Sequence, residues 1–141
     1  MKTLILVDGS PCSKKAVEYA IEHPELFQSS GELHVLHITP SVPYGTARDF
    51  VGAEAINAYY DSEASAALAP ARQVLNEKGI AHRSGYQIGD IGEQVSGYAA
   101  EHGIEMIIMG SHGRSVLRNL VMGSMATRVL ATSPVPVLIV R

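Results

Sequence analysis

A chain of 141 residues with a formal net charge of −3, 46% hydrophobic and 18% charged residues is long enough for one self-supporting core and too apolar to stay disordered. No stretch gathers Lys and Arg, so the dense positive field that nucleic-acid binding needs is missing. The single cysteine, Cys12, rules out an internal disulfide and suits a reducing compartment.

The chain opens MKTLILVDGS, whose apolar run is too short for a signal-peptide core or a membrane span, so a cytoplasmic location without membrane contact is expected. Residues 2–7 read as a strand that Asp8-Gly9-Ser10-Pro11 turns into a helix, with Ser10 as N-cap and Pro11 in the first turn. Ala16, Val17, Ala20 and Ile21 recur at helical spacing until Pro24. Residues 32–38 (ELHVLHI) form the second strand, ended by a loop rich in proline. An alanine-rich helix is expected over about 49–78, with Pro70 kinking or splitting it and Gly79 ending it.

Residues 80–86 make a less well patterned third strand. Asp90 followed by Glu93 resembles a capping box, and Ile91, Val95, Tyr98 and Ala99 share one face of the helix it opens. Residues 104–109 (IEMIIM) read as a buried fourth strand, followed by a loop from Gly110 to Met122 and a helix over about 124–131. Residues 135–140 (VPVLIV) close the chain as a fifth strand. Strands alternating with helices predict parallel βαβ units with right-handed crossovers, in one domain over 1–141 with helices on both faces of an open sheet.

The informative segment is MGSHGRSVLRNLVMGSMATRVL. In it Gly110, Gly113 and Gly123 are spaced G-x2-G-x9-G, with Ser124 following at the start of a helix. Converging backbone N–H groups and a helix N-terminus hold phosphate oxygens well, and glycine lets the backbone come close. The same residues also suit a plain glycine loop with Ser124 as N-cap. The segment lacks the Gly-Lys-Ser/Thr of a P-loop and the spacing of the dinucleotide fingerprint, which disfavours a hydride-transfer cofactor.

The glycine spacing and the wording MGSHGRS resemble the ATP-binding branch of the universal stress protein family. The opening LILVDGS, the LHI that ends the second strand and the closing SPVPVLIVR also look like that family's landmarks. The resemblance implies a five-stranded parallel sheet in the order 3-2-1-4-5, a Rossmann-like, adenine nucleotide alpha hydrolase-like α/β fold. In that order strands 1 and 4 are neighbours whose connections leave in opposite directions, which places Asp8 and Gly110 at one crevice.

Carried over residue by residue, the resemblance implies that Asp8 approaches the sugar of an adenine nucleotide and that Ile38 and Met109 line the base pocket. It implies that Gly110, Ser111, His112, Gly113, Arg114 and Ser115, with Gly123, Ser124, Met125 and Ala126, wrap the phosphates of ATP, ADP or AMP. Magnesium would arrive through the phosphates. Read without the family, Asp8-Gly9-Ser10 is a turn and cap, Ile38 and Met109 are core, and Arg114 is a solvated side chain. His112 reads as a polar loop residue rather than an acid or base, and Cys12 as a packing residue.

His34 and His37 point to opposite faces of their strand and cannot share a metal, and no nucleophile–base pair is legible. The expected function is therefore a regulatory stress-response module that holds adenine nucleotide with slow or no turnover. The alternatives are a nucleotide hydrolase or phosphoryl or adenylyl transferase using His112, Arg114 or Ser124, and a nucleotide-free dimerising scaffold. In the implied order strand five is an apolar edge, and a second copy of the chain covering 135–140 predicts a homodimer, as the resemblance also implies.

Overall fold

The computed structural model describes residues 1–29, 31–43, 47–113 and 122–141, and for 47–51 only the backbone. In chain order the elements are β1 (Thr3–Leu6), α1 (Pro11–Glu22), a 3-10 turn (Pro24–Leu26), β2 (Leu33–Thr39), α2 (Ala47–Glu77), β3 (Arg83–Ile88), α3 (Ile91–His102), β4 (Met106–Gly110), α4 (Ser124–Thr132) and β5 (Val137–Val140). The five strands form one sheet in the order β3-β2-β1-β4-β5, every pair parallel. This is the order and the fold class expected above.

Strand side chains alternate between two cores. Ile5, Val35 and Ile108 meet Ala16, Val17 and Ala20 of α1 and Ala64, Leu68 and Leu75 of α2. On the opposite face Leu4, Leu36 and Ile107 meet Val95 and Ala99 of α3 and Ala126 and Val129 of α4. The central strands are buried on both sides, which is why they read as continuous apolar runs rather than as alternating ones. Each fully buried Leu or Ile there contributes about 1.5–3 kcal/mol.

The local signals for α1 and α3 act as their residue types require. Ser10 accepts a hydrogen bond from the Ser13 N–H at 3.2 Å with Pro11 in the first turn, and Asp90 accepts from the Glu93 N–H at 3.1 Å. Gly79, at φ +66, follows α2 in the left-handed region, and the Ile80 N–H returns to the Leu75 carbonyl at 2.9 Å.

Three expectations are corrected. The helix runs through Pro70 without a break, and its non-helical backbone lies instead at Gly52 (φ 78, ψ 164). Pro70 and Ala66, whose carbonyl the proline deprives of a donor, are both exposed, so water can satisfy that oxygen. The third strand spans 83–88 rather than 80–86, because Ile80 is used in closing α2 while Ile88 pairs with Thr39 at the far end of β2. The last strand starts at Val137, after Pro136, whose carbonyl accepts from the Ile107 N–H at 3.0 Å. Among the described residues no helix is long and apolar enough to cross a membrane.

Candidate functional site

In an open parallel sheet the crevice lies at the carboxyl ends of strands where the connections diverge. Here that point is between β1, whose chain turns into α1, and β4, whose chain runs on to α4. A cavity of about 310 Å³ opens there, lined by Asp8, His37, Ile38, Thr39, Pro40, Tyr59, Glu63, Gly113, Ser124 and Met125. The two ends are close: a Cβ added to Gly113 would fall 2.8 Å from Asp8 Oδ2. The carboxylate is 7% exposed, and its Oδ1 accepts from the Ser10 N–H at 2.9 Å.

The second glycine segment sits on the first. The Gly123 N–H donates to the Ser111 carbonyl at 2.7 Å, and a Cβ on Gly123 would lie 3.2 Å from the His112 Cα. Gly123 is the N-cap of α4 and supplies no side-chain cap, so Ser124 is not the cap that a plain glycine loop would need. Among the described residues the amides of Ser124, Met125 and Ala126 begin α4 with no side-chain cap, and helix starts of this kind attract anions.

Of the residues singled out in the sequence, Asp8, Ile38, Gly113, Ser124 and Met125 line this cavity. Met109, Gly110, His112 and Ala126 stand behind it around a void of about 10 Å³ that also touches Asp8, Gly113 and Met125. Met109 is 1% exposed within the core. Gly110 has a packing reason to lack a side chain, since a Cβ there would come 2.7 Å from the backbone of Cys12. Ser111 Oγ meets His112 Nδ1 at 2.9 Å, but at 3% exposure the hydroxyl is closed to any substrate. Arg114 and Ser115 lie outside the described residues.

Sequence reasoning missed His37, Thr39, Pro40, Tyr59 and Glu63 as lining residues. The first three were within reach, because β2 adjoins β1 and its carboxyl end must border the same crevice. Tyr59 and Glu63, one turn apart on α2, come to the cleft only through the path of that helix across the sheet. His37 Nδ1 lies 2.9 Å from the Val7 carbonyl, which can only accept, so Nδ1 carries the proton.

Ile38, Pro40, Ser124 and Met125 also border a second cavity of about 460 Å³, lined in addition by Gly89, Asp90, Ile91 and Arg128. At its rim the Arg128 guanidinium reaches both Asp90 oxygens at 3.1 Å. The Glu93 backbone N–H, and then Arg128, hold the Asp90 carboxyl below the usual aspartate range. His34, away from the cleft, is 1% exposed between the Tyr98 hydroxyl at 2.8 Å and Glu32 at 3.1 Å, and burial holds its pKa down. Among the described residues no three His, Cys, Asp or Glu side chains are grouped to hold a metal ion.

Sheet order, crevice and helix start together define a doubly wound α/β protein with a cleft at its switch point. The universal stress protein family model matches residues 1–141, and the chain belongs to that family. It is 29% identical to the universal stress protein YxiE of Bacillus subtilis, over 99% of this chain and 98% of that one. In fold it is similar to universal stress protein UspA of Lactobacillus plantarum, at a TM-score of 0.80 and 20% identity, covering 99% and 97% of the two chains. It is also similar to an Arabidopsis thaliana universal stress protein family protein solved with AMP bound, at a TM-score of 0.66 and 14% identity, covering 99% and 91%.

Proposed function

We propose that this chain is a regulatory, stress-response module that holds ATP, ADP or AMP in the cleft between β1 and β4, with slow or no turnover, as a cytoplasmic homodimer. The observation that carries the reading is the approach of Gly113 to the Asp8 carboxylate across one cavity that α4 also enters by its N-terminus. A carboxylate accepts from ribose hydroxyls, while uncapped helix amides and the Gly113 backbone suit phosphate oxygens. A Cβ at Gly113 would occupy the space between them, so the residues present fit such a ligand. That a family member of the same fold was solved with AMP bound supports the class of ligand.

In this reading Asp8 takes the sugar, Ile38 covers the base with Met109 behind it, and Gly113 with the start of α4 from Gly123 to Ala126 faces the phosphates. Magnesium accompanying the nucleotide is held chiefly by phosphate oxygens. Adenine nucleotide is expected in mass spectra of the protein as purified, and calorimetric titration should show ATP binding. Asp8→Ala should weaken that binding by roughly 1.5–3 kcal/mol as a lost charged hydrogen bond, about ten- to a hundredfold. Equal affinity in the variant removes Asp8 from the site, and steady ATP consumption at about one per second that Asp8→Ala abolishes overturns the regulatory reading.

A further inference from the structure

His37 is a polar residue in β2 beside the apolar core positions Val35, Leu36 and Ile38. Its Nδ1–H donates to the Val7 carbonyl at 2.9 Å, so the neutral ring keeps a lone pair on Nε2 that can only accept. Among the described residues nothing donates to that nitrogen. Nor is it shut away, because the one described side-chain oxygen or nitrogen that is both closed to solvent and unpaired is Thr39 Oγ1. The residue is 5% exposed and borders the cleft, so this acceptor opens onto the space a ligand enters.

The ring is held in a fixed relation to Asp8. The Val7 N–H donates to the Leu36 carbonyl at 3.0 Å while the Val7 carbonyl takes the imidazole, which ties His37 to the residue immediately before Asp8. Both side chains line the same cavity. Two neighbouring acceptors suit a ligand that carries two neighbouring donors. The phosphate oxygens of a nucleotide only accept, whereas its ribose offers two adjacent hydroxyls, 2′ and 3′.

We infer that His37 Nε2 is a second sugar-binding group, which accepts from one ribose hydroxyl while the Asp8 carboxylate accepts from the other, so that the cleft selects ribonucleotides over deoxyribonucleotides. This assignment rests on the nucleotide reading above. It carries a signature that a purely structural histidine lacks: the effect of removing Nε2 depends on which hydroxyl the ligand carries.

The test titrates the wild-type chain and His37→Asn with ATP, 2′-deoxy-ATP and 3′-deoxy-ATP by calorimetry. Asparagine can keep a donor to the Val7 carbonyl through its amide, and it ends short of the Nε2 position. His37→Asn should weaken ATP binding by about three- to tenfold, the loss of one neutral hydrogen bond. With one of the two deoxynucleotides the variant and the wild type should agree within about twofold, because the hydroxyl that His37 meets is already absent. In the wild-type chain the nitrogen-15 resonance of His37 Nε2 should move further with ATP than with that same deoxynucleotide, a measurement that needs no variant to fold. Unchanged ATP affinity in His37→Asn, an equal loss for all three nucleotides, or a resonance that moves equally with all three overturns the assignment while leaving the nucleotide reading in place. Failure of the wild-type chain to bind any of the three overturns the nucleotide reading, and the assignment with it.

Discussion

Gly110 and Gly113 stand three residues apart in one motif, yet they lack side chains for different reasons. A Cβ on Gly110 would meet the rigid backbone of Cys12 at 2.7 Å, whereas one on Gly113 would meet the tip of the Asp8 side chain at 2.8 Å. Backbone cannot yield without moving α1, while a carboxylate can swing aside at smaller cost. Gly110→Ala should therefore lower the Tm clearly, as an overpacked core site costing about 1–3 kcal/mol. Gly113→Ala should leave the Tm closer to wild type but weaken nucleotide binding by displacing Asp8. Thermal unfolding and ATP titration of the two variants separate these outcomes, and a larger Tm loss in Gly113→Ala contradicts the argument.

Among the elements, the starts of α3 and α4 shape the rim of the second cavity, and Asp90 joins them. Its Oδ1 caps α3 through the Glu93 N–H, and both its oxygens face Arg128 of α4. The cap should matter more than the exposed ion pair, because surface pairs are screened and entropically costly. Asp90→Asn, which retains an accepting oxygen, should lower the Tm less than Asp90→Ala. The carboxyl is held below its ordinary range, so it stabilises the fold above the unfolded-state aspartate pKa of about 3.9 and that contribution disappears as pH falls through the lower folded value. Both variants should thus flatten the acid limb of the Tm-against-pH curve, and an unchanged limb removes Asp90 from it.

For the whole molecule, the sheet leaves two edges, and they differ in chemistry. Arg83 and Ser84 begin β3 and are exposed, which protects that edge from pairing. Val137 to Val140 of β5 are all apolar and half-buried, and Leu130 of α4 is 41% exposed. A second copy related by a two-fold axis covers such an edge with the same apolar surface on both sides. Sedimentation at micromolar concentration should give twice the mass of one chain, and the mass of a single chain refutes the proposed dimer.

The sequence by itself determined the βαβ alternation, the caps Ser10 and Asp90 and the helix end at Gly79, because each rests on local backbone chemistry within a few residues. Resemblance, rather than periodicity, supplied the strand order. Tertiary structure alone decided that α2 runs through Pro70, where solvent can serve the orphaned carbonyl, and that β3 is shifted toward Ile88. It alone brought Tyr59 and Glu63 to the cleft and left the Thr39 hydroxyl without a partner. Those outcomes depend on distances between segments far apart in the chain, which packing against the sheet sets and no local pattern of residues encodes.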